Sequence, residues 1–311
     1  MELGDRKLYI GGSDIASIMG RSRWKSALTL WAEKTGRLEP DDLSNNEYVY
    51  WGNKHEDTVA EEFKKRTGLI IADGKLYTHP DYDYLVGHTD RTIVEYDNDG
   101  YDVVDGGIEV NAEDVAILEC KTASRIAEWK EGEIPEEYIH QVMWYMGISG
   151  IHHSYIACLV NGNKFIIKEL LFDEEFYNKQ VKCAVKFWDM VQNNIMPQAS
   201  SDDANTLLML YPDSNHQTLT VQDEELDNSI AYLSEKEIEY KEIEKEIDTI
   251  KNEIKCMMGE NELLITEKYT ISWKSQVTKR ADIDALKKDG IYDKYTKDSN
   301  SRVLRKTKRS V

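Results

Sequence analysis

Two short acidic patterns in the 311-residue chain are written where acidic residues are expensive. One is Thr89-Asp90-Arg91 within the stretch 84–94, YLVGHTDRTIV; the other is Glu119-Cys120-Lys121 within 115–121, VAILECK. Both stretches read as β-strands. Strand alternation puts His88 and Asp90 on one face of the first. In the second it puts Ile117, Glu119 and Lys121 on one face, with Leu118 and Cys120 on the other. Charges inside an apolar strand need partners, because an unpaired buried ion costs several kcal/mol. A hard divalent cation held by Asp90, Glu119 and a nearby backbone carbonyl would satisfy them. A water retained by Mg²⁺ would then be the attacking nucleophile, with Lys121 orienting and deprotonating it while the cation neutralises a phosphate. An ordinary Glu–Lys or Asp–Arg pair at a sheet edge is the other reading of the same residues.

The surrounding elements must position these groups. The first 200 residues read as a mixed α/β domain. Ser13 is expected to cap a short helix through Met19, and Ser26 to begin another that runs to Lys34. A helix is expected over 47–67, with Val59, Ala60 and Phe63 on one side and Gly68 as its stop. The turn-rich stretch 97–114, DNDGYDVVDGGIEVNAED, predicts a hairpin or loop. Residues 136–149 read as a helix. SYIACLV and KFIIKEL flank Asn161-Gly162-Asn163 as a hairpin, and a further helix runs from Asp173 to about Asn193.

A composition break at 198–206, QASSDDANT, divides a domain over 1–200 from an extension over 201–311. In the extension, apolar residues from Leu226 to Met257 recur at spacings of three and four, with one phase slip near Tyr240. They predict a coiled-coil-like helix over about 222–258, roughly 50 Å long at 1.5 Å per residue. KYTISWK reads as a short strand and is followed by a basic tail ending RVLRKTKRSV.

Composition narrows the functional classes. Lys and Arg number 39 against 58 Asp and Glu, a formal charge of −19. A chain this acidic will not coat nucleic acid indiscriminately, but it can bind at a local basic site. Residues 1–38 carry seven basic and four acidic residues; residues 268–311 carry thirteen and five; residues 221–260 carry five and thirteen. The four cysteines, Cys120, Cys158, Cys183 and Cys256, form no CxxC pair, which argues against a disulfide framework or a four-cysteine zinc site. No run reaches the ~18 apolar residues of a membrane span. The N-terminus lacks the apolar stretch of a signal peptide, so a cytoplasmic location and no membrane association are expected.

GHTDR, then LECK after a variable stretch, then a helix bearing YIHQVMWYMG resembles the PD-(D/E)XK nuclease superfamily. The resemblance is to its YqaJ-type viral recombinase branch, which includes the lambda-type phage exonucleases. IGGSDIASIMG and GNKHEDTVAEEFKKRTG extend the likeness, which covers about residues 6–195. It implies an α/β fold: a restriction-endonuclease-like core with a central mixed sheet flanked by helices, here with a C-terminal long-helix extension. It further implies a Mg²⁺-dependent deoxyribonuclease, in which Mn²⁺ can substitute and one or two ions act. Such an enzyme would degrade one strand of linear double-stranded DNA from its ends, 5′ to 3′, leaving 3′ single strands for recombination. A ring trimer and a phage single-strand annealing protein as partner belong to the same expectation.

Residue by residue, Glu56 matches the helical glutamate that completes the metal site, Asp90 the metal-bridging aspartate and Glu119 the second ligand. Cys120 matches a position that coordinates through its backbone carbonyl, and Lys121 the lysine that positions the water. Tyr138 and Gln141 match a Tyr-x-x-Gln pair that holds the scissile phosphate or the nucleophile. Met143 stands where many relatives have a second glutamine. Arg6 and Ser13 match residues that grip a DNA 5′-phosphate, and His88 stands where a relative has a phosphate-contacting serine. From the residues alone, Arg21, Arg23 and Trp24 suit backbone contact and stacking on an end base. A surface loop anchored by Trp24 is the alternative. An endonuclease of the same superfamily, or a non-catalytic adaptor using the helical arm, are the rival functions.

Overall fold

The computed structural model describes residues 5–104, 107–129, 133–297, 302 and 304–306. The chain divides into two compact units, Met1–Pro212 and Asp213–Val311.

The first unit has a mixed α/β core. Its helices are α1 (Gly12–Ile18), α2 (Ala27–Lys34), α3 (Glu47–Thr67), α4 (Glu136–Ser149), α5 (Glu174–Gln192) and α6 (Ala204–Leu210). Its strands are β1 (Ile70–Asp73), β2 (Leu76–Thr78), β3 (Val86–His88), β4 (Arg91–Val104), β5 (Gly107–Ala123), β6 (His153–Val160) and β7 (Lys164–Leu171). Five strands form one sheet in the order β1-β4-β5-β6-β7, while β2 and β3 pair separately. All pairings in the large sheet are antiparallel except β5 with β6.

Alternation along β5 and β6 supplies two cores. Leu118, Cys120 and Ala157 pack with Val59, Ala60 and Phe63 of α3. Ile117, Ile156 and Cys158 pack on the opposite face with α4, α5 and the N-terminal helices. This is the central mixed sheet flanked by helices that the motifs imply. Glycine ends α3 as expected, with Gly68 at φ +73°.

The stretch 84–94 is two strands rather than one. β3 bonds to β2, whereas β4 bonds to β1 and β5, so the chain changes sheets at Thr89-Asp90. Thr89 is tied to Lys75 through backbone and hydroxyl. Gly74 permits the crossing: a Cβ there would lie 1.7 Å from the Thr89 carbonyl oxygen. His88 and Asp90 therefore do not share a strand face. Of the turn-rich stretch, 97–104 and 107–114 lie in the arms of the β4–β5 hairpin while 105–106 lie outside the described residues, and its Asp-Asn-Asp-Gly sequence falls at a register irregularity between Tyr96 and Tyr101.

Ser13 does not cap α1. The helix begins at Gly12 and the Asp14 carboxylate accepts from the Gly11 N–H at 3.2 Å, which leaves Ser13 in the first turn. Ser26 does cap α2, accepting from Thr29 N–H at 3.0 Å. The polar stretch 198–206 folds with the first unit. Ser26 donates to Asp203, and the Thr29 and Thr206 hydroxyls lie 2.7 Å apart.

In the second unit, α7 (Glu224–Met258) is capped by Asp223 and stopped at Gly259, φ +56°. Its Leu226, Ile230, Ile243 and Ile247 remain exposed. β8 (Leu263–Ile265) and β9 (Thr270–Ser272) form a hairpin, followed by α8 (Ile283–Lys288). Lys306 reaches Glu237 of α7 at 2.6 Å. The rest of the expected basic tail, Val303 and residues 307–311, lies outside the described residues.

Gly74→Ala should force the β1–β2 connection away from Thr89 and destabilise the first unit by about 2 kcal/mol or more, the cost of overpacking against backbone. Urea denaturation followed by circular dichroism checks this; an unchanged midpoint would contradict it.

Candidate active site

β5 carries the centre of the site. Glu119 is fully buried, on the α4 side of the sheet. Lys121, two residues on, donates to Glu119 Oε1, while Glu119 Oε2 has no hydrogen-bond partner among the described residues. Asp90, at the sheet crossing, accepts from the Cys120 N–H at 2.8 Å, so the crossing is fastened to β5 at this point. Burial pushes the Glu119 carboxyl well above the usual carboxylate range, and the neighbouring Asp90 charge pushes it further. Burial alone would lower the Lys121 ammonium, but the Glu119 and Asp90 charges more than offset it and hold it protonated. In this arrangement Lys121 is a hydrogen-bond donor to Glu119. The Cys120 thiol packs in the α3 core, and burial raises its pKa.

Glu56, expected to complete a metal site, is turned instead to Arg91. Arg91 Nη1 donates to Glu56 Oε1 at 2.8 Å and to the Asp90 carbonyl at 2.5 Å, and Nη2 donates to Asp57. Among the described residues no group of three or more His, Cys, Asp or Glu is arranged to hold a metal ion. The pair Asp90 and Glu119 nevertheless fits a hard cation. Two carboxylates repel each other, one of them is buried with an oxygen lacking any donor, and Mg²⁺ is commonly held through only one or two carboxylates.

Helix α4 closes the site. The Tyr138 ring lies 5.2 Å from Lys121 Nζ and stacks on Trp129 at 5.7 Å. Gln141 Nε2 donates to the Tyr145 hydroxyl at 2.8 Å. Tyr145 was not evident as a site residue, although its i+4 spacing from Gln141 places it on the same helix face. Burial first, and then the Glu119 charge, hold its hydroxyl far above the ordinary range. Its ring presses on α1: a Cβ at Gly12 would lie 2.3 Å from Tyr145 Cε1. Met143 faces the core and not the site.

The expected phosphate- and DNA-contacting residues fall in three places. Arg6 and Ser13 are brought together, with Arg6 Nη2 donating to Ser13 Oγ at 2.8 Å. Buried Lys34 braces them, donating to the Arg6 and Tyr9 carbonyls and to Asp14. The loop cations are already engaged. Arg21 pairs with Glu136 at 3.5 Å, and Arg23 with Glu128 and Glu137 at 2.6 and 2.9 Å. Trp24 is exposed and tilts toward Tyr138 at 6.1 Å. His88 ends β3, exposed, opposite Leu76 in the small sheet.

A mixed sheet whose central strand carries Glu119-x-Lys121, with an aspartate from the neighbouring crossing hydrogen-bonded to that strand, defines a PD-(D/E)XK-type core. The family model described as YqaJ-like viral recombinase domain matches residues 3–152. A protein of Bacillus subtilis (strain 168) named YqaJ, itself uncharacterized, is 33% identical over 309 residues, covering 96% of this chain and 91% of that protein. The chain belongs to the YqaJ-like viral recombinase family. Among solved structures, an alkaline exonuclease (LHK-Exo) from Laribacter hongkongensis is similar over 61% of this chain and 91% of its own, at 16% identity and a TM-score of 0.47. A phage related exonuclease from Haemophilus somnus 129PT is similar over 60% and 96%, at 14% identity and a TM-score of 0.43.

Arg91→Ala should remove the bonds to Glu56, Asp57 and the Asp90 carbonyl and cost roughly 1–3 kcal/mol of stability. Asp57→Asn, at an exposed position, should cost no more than about 1 kcal/mol. Urea midpoints of the two variants check the difference; equal effects would show that Arg91 does not brace the Asp90 crossing.

Proposed function

We propose that this protein is a divalent-metal-dependent exodeoxyribonuclease acting on the ends of linear double-stranded DNA. The observation that carries the reading is the buried, donor-free Oε2 of Glu119 beside Asp90, with Lys121 on the same strand face. Family membership and the motif resemblance agree with it. Asp90 and Glu119 would hold the cation, with the Cys120 carbonyl as a third ligand by resemblance. Mg²⁺, or Mn²⁺ in its place, would supply charge neutralisation at the scissile phosphate and a bound water of lowered pKa. Lys121 orients that water through its ammonium, and Tyr138 holds the ammonium under its ring face. Gln141, pinned on Tyr145, fixes the α4 wall against which the phosphate rests. Glu56 acts through Arg91, bracing Asp90.

Arg6 and Ser13 form the 5′-phosphate contact of the proposal. Degradation from 5′ to 3′, a ring trimer, a phage annealing protein as partner and action in the bacterial cytoplasm complete it on the strength of the resemblance. Among the described residues no helix is long and apolar enough to cross a membrane. A ring reconciles the charge of −19 with DNA binding, since a basic channel can draw in an end while the outer face repels it.

Linear duplex DNA, 5′-phosphorylated and labelled at either end, with a closed circle as control, tests the reading in Mg²⁺ and in chelator. Mononucleotides from 5′ ends with circles untouched are expected. Nicked circles would make the protein an endonuclease, and no cleavage with any divalent ion would leave a non-catalytic adaptor. Lys121→Ala should keep DNA-end affinity but lose roughly 100-fold or more in cleavage rate. Arg6→Ala should chiefly lose the preference for a 5′-phosphate. Normal cutting by Lys121→Ala would remove that residue from the mechanism.

A further inference from the structure

Along α3, Tyr48, Trp51 and His55 are three and four residues apart and share one face. This face is not packed on the sheet, for Tyr48 is 80% and Trp51 51% exposed. The Trp51 ring is nevertheless fixed. It stacks on His55 at 5.6 Å and 24°, and its Nε1 donates to Glu47 Oε2 at 2.8 Å. The opposite wall is the end of β5 and of β6, with Thr122, Ser124 and Asn161, the last held at φ +55° in the β6–β7 turn. Between the walls lies an open groove of about 300 Å³.

Its position points to a ligand. β5 and β6 are the parallel pair of the sheet, and the crevice beyond the C-terminal ends of such strands is where open α/β sheets bind ligands. Thr122 directly follows Lys121 on β5, and alternation turns it to the α3 side of the sheet, so the groove and the candidate active site lie at one stretch of the same strand. Gly52, one helical turn before Glu56, brings α3 against this part of β5: a Cβ there would lie 3.8 Å from Thr122 Oγ1.

The lining also selects the ligand. It offers two exposed aromatic faces and neutral donors and acceptors, with no Lys or Arg and one carboxylate, Glu47, at the rim. That is a poor setting for phosphate and a good one for a flat, uncharged heterocycle with a polar edge. We propose that this groove binds an unpaired nucleobase of the DNA strand next to the active site. The base stacks on Trp51 and Tyr48, and Thr122, Ser124 and Asn161 meet its edge. The proposal rests on the reading of the site as one that acts on DNA.

Binding by full-length protein in chelator, followed by fluorescence anisotropy, tests it. The probes are a labelled short oligothymidylate, an abasic oligonucleotide of equal length and a blunt duplex. Stacking is worth about 1–3 kcal/mol per base, so Trp51→Ala should weaken oligothymidylate binding roughly 5- to 150-fold. Tyr48→Ala, at a position without packing to lose, should weaken it in the same direction, and Trp51→Phe should retain most of the affinity. Binding of the abasic oligonucleotide and the blunt duplex should change less than about twofold in all three variants, given that the lost term is base stacking. Equal affinity of the wild-type protein for the abasic and thymidylate probes would overturn the proposal. So would an unchanged thymidylate affinity in both Trp51→Ala and Tyr48→Ala. If the variants behave as expected but the wild-type protein cuts no DNA, the base site stands and the nuclease reading falls.

Discussion

The structure of the first unit turns on a single buried carboxylate. Glu119 sits at the middle of the central sheet, one oxygen bonded to Lys121 and the other to nothing, with Asp90 adding a second negative charge nearby. An apolar residue would pack there at no electrostatic cost, whereas an ionised carboxylate in such surroundings costs several kcal/mol unless it is paired and fully hydrogen-bonded. Lys121 pairs only half of it. The remaining deficit is what the proposed cation answers, because an ion shared with Asp90 would satisfy both acids together.

The fold contributes the means of keeping these groups in place. Asp90 lies where the chain leaves the small sheet for the large one, and Gly74, Thr89 and Arg91 fasten that crossing from three directions. On the other side, α4 comes close to α1 only because Gly12 has no side chain in the path of Tyr145. Tyr145 then fixes Gln141, and Tyr138 covers Lys121. The same β5 that carries Glu119 and Lys121 runs on into the groove under Trp51, so the chemistry and the proposed base contact share one rigid strand.

Much of this was legible in the sequence. Charges in VAILECK mark β5 as a strand whose Glu119 and Lys121 need partners, and the near-regular spacing of three and four from Leu226 to Met257 matches the 35 residues of α7. What escaped is what depends on partners distant in sequence. Alternation could not show that 84–94 changes sheets, since that change is set by pairing with β2 on one side and with β1 and β5 on the other. Turn-forming residues in 97–114 suggested a hairpin or loop; the hairpin is found, but its arms are longer than those residues imply, because a register irregularity absorbs Asp-Asn-Asp-Gly within the strands. Ser13 lost its cap because Gly11 and Asp14 supply the helix start, and Glu56 was drawn to Arg91, a residue read only as part of a motif. Tyr48 and Trp51 gave no signal of their own within the helix over 47–67, because periodicity marks a face without saying whether anything covers it.

The most direct measurement is the unfolding free energy of the wild-type protein and of Glu119→Gln as Mg²⁺ or Mn²⁺ is raised. A cation bound by the native state alone adds stability that grows with the logarithm of its concentration above Kd, about 2.7 kcal/mol at a hundredfold excess. If Asp90 and Glu119 share a cation, the wild-type protein gains this stability as the metal is raised and Glu119→Gln loses most of that gain. Equal responses to the metal in both proteins, or none in either, would contradict the claim that the buried carboxylate exists to hold a cation.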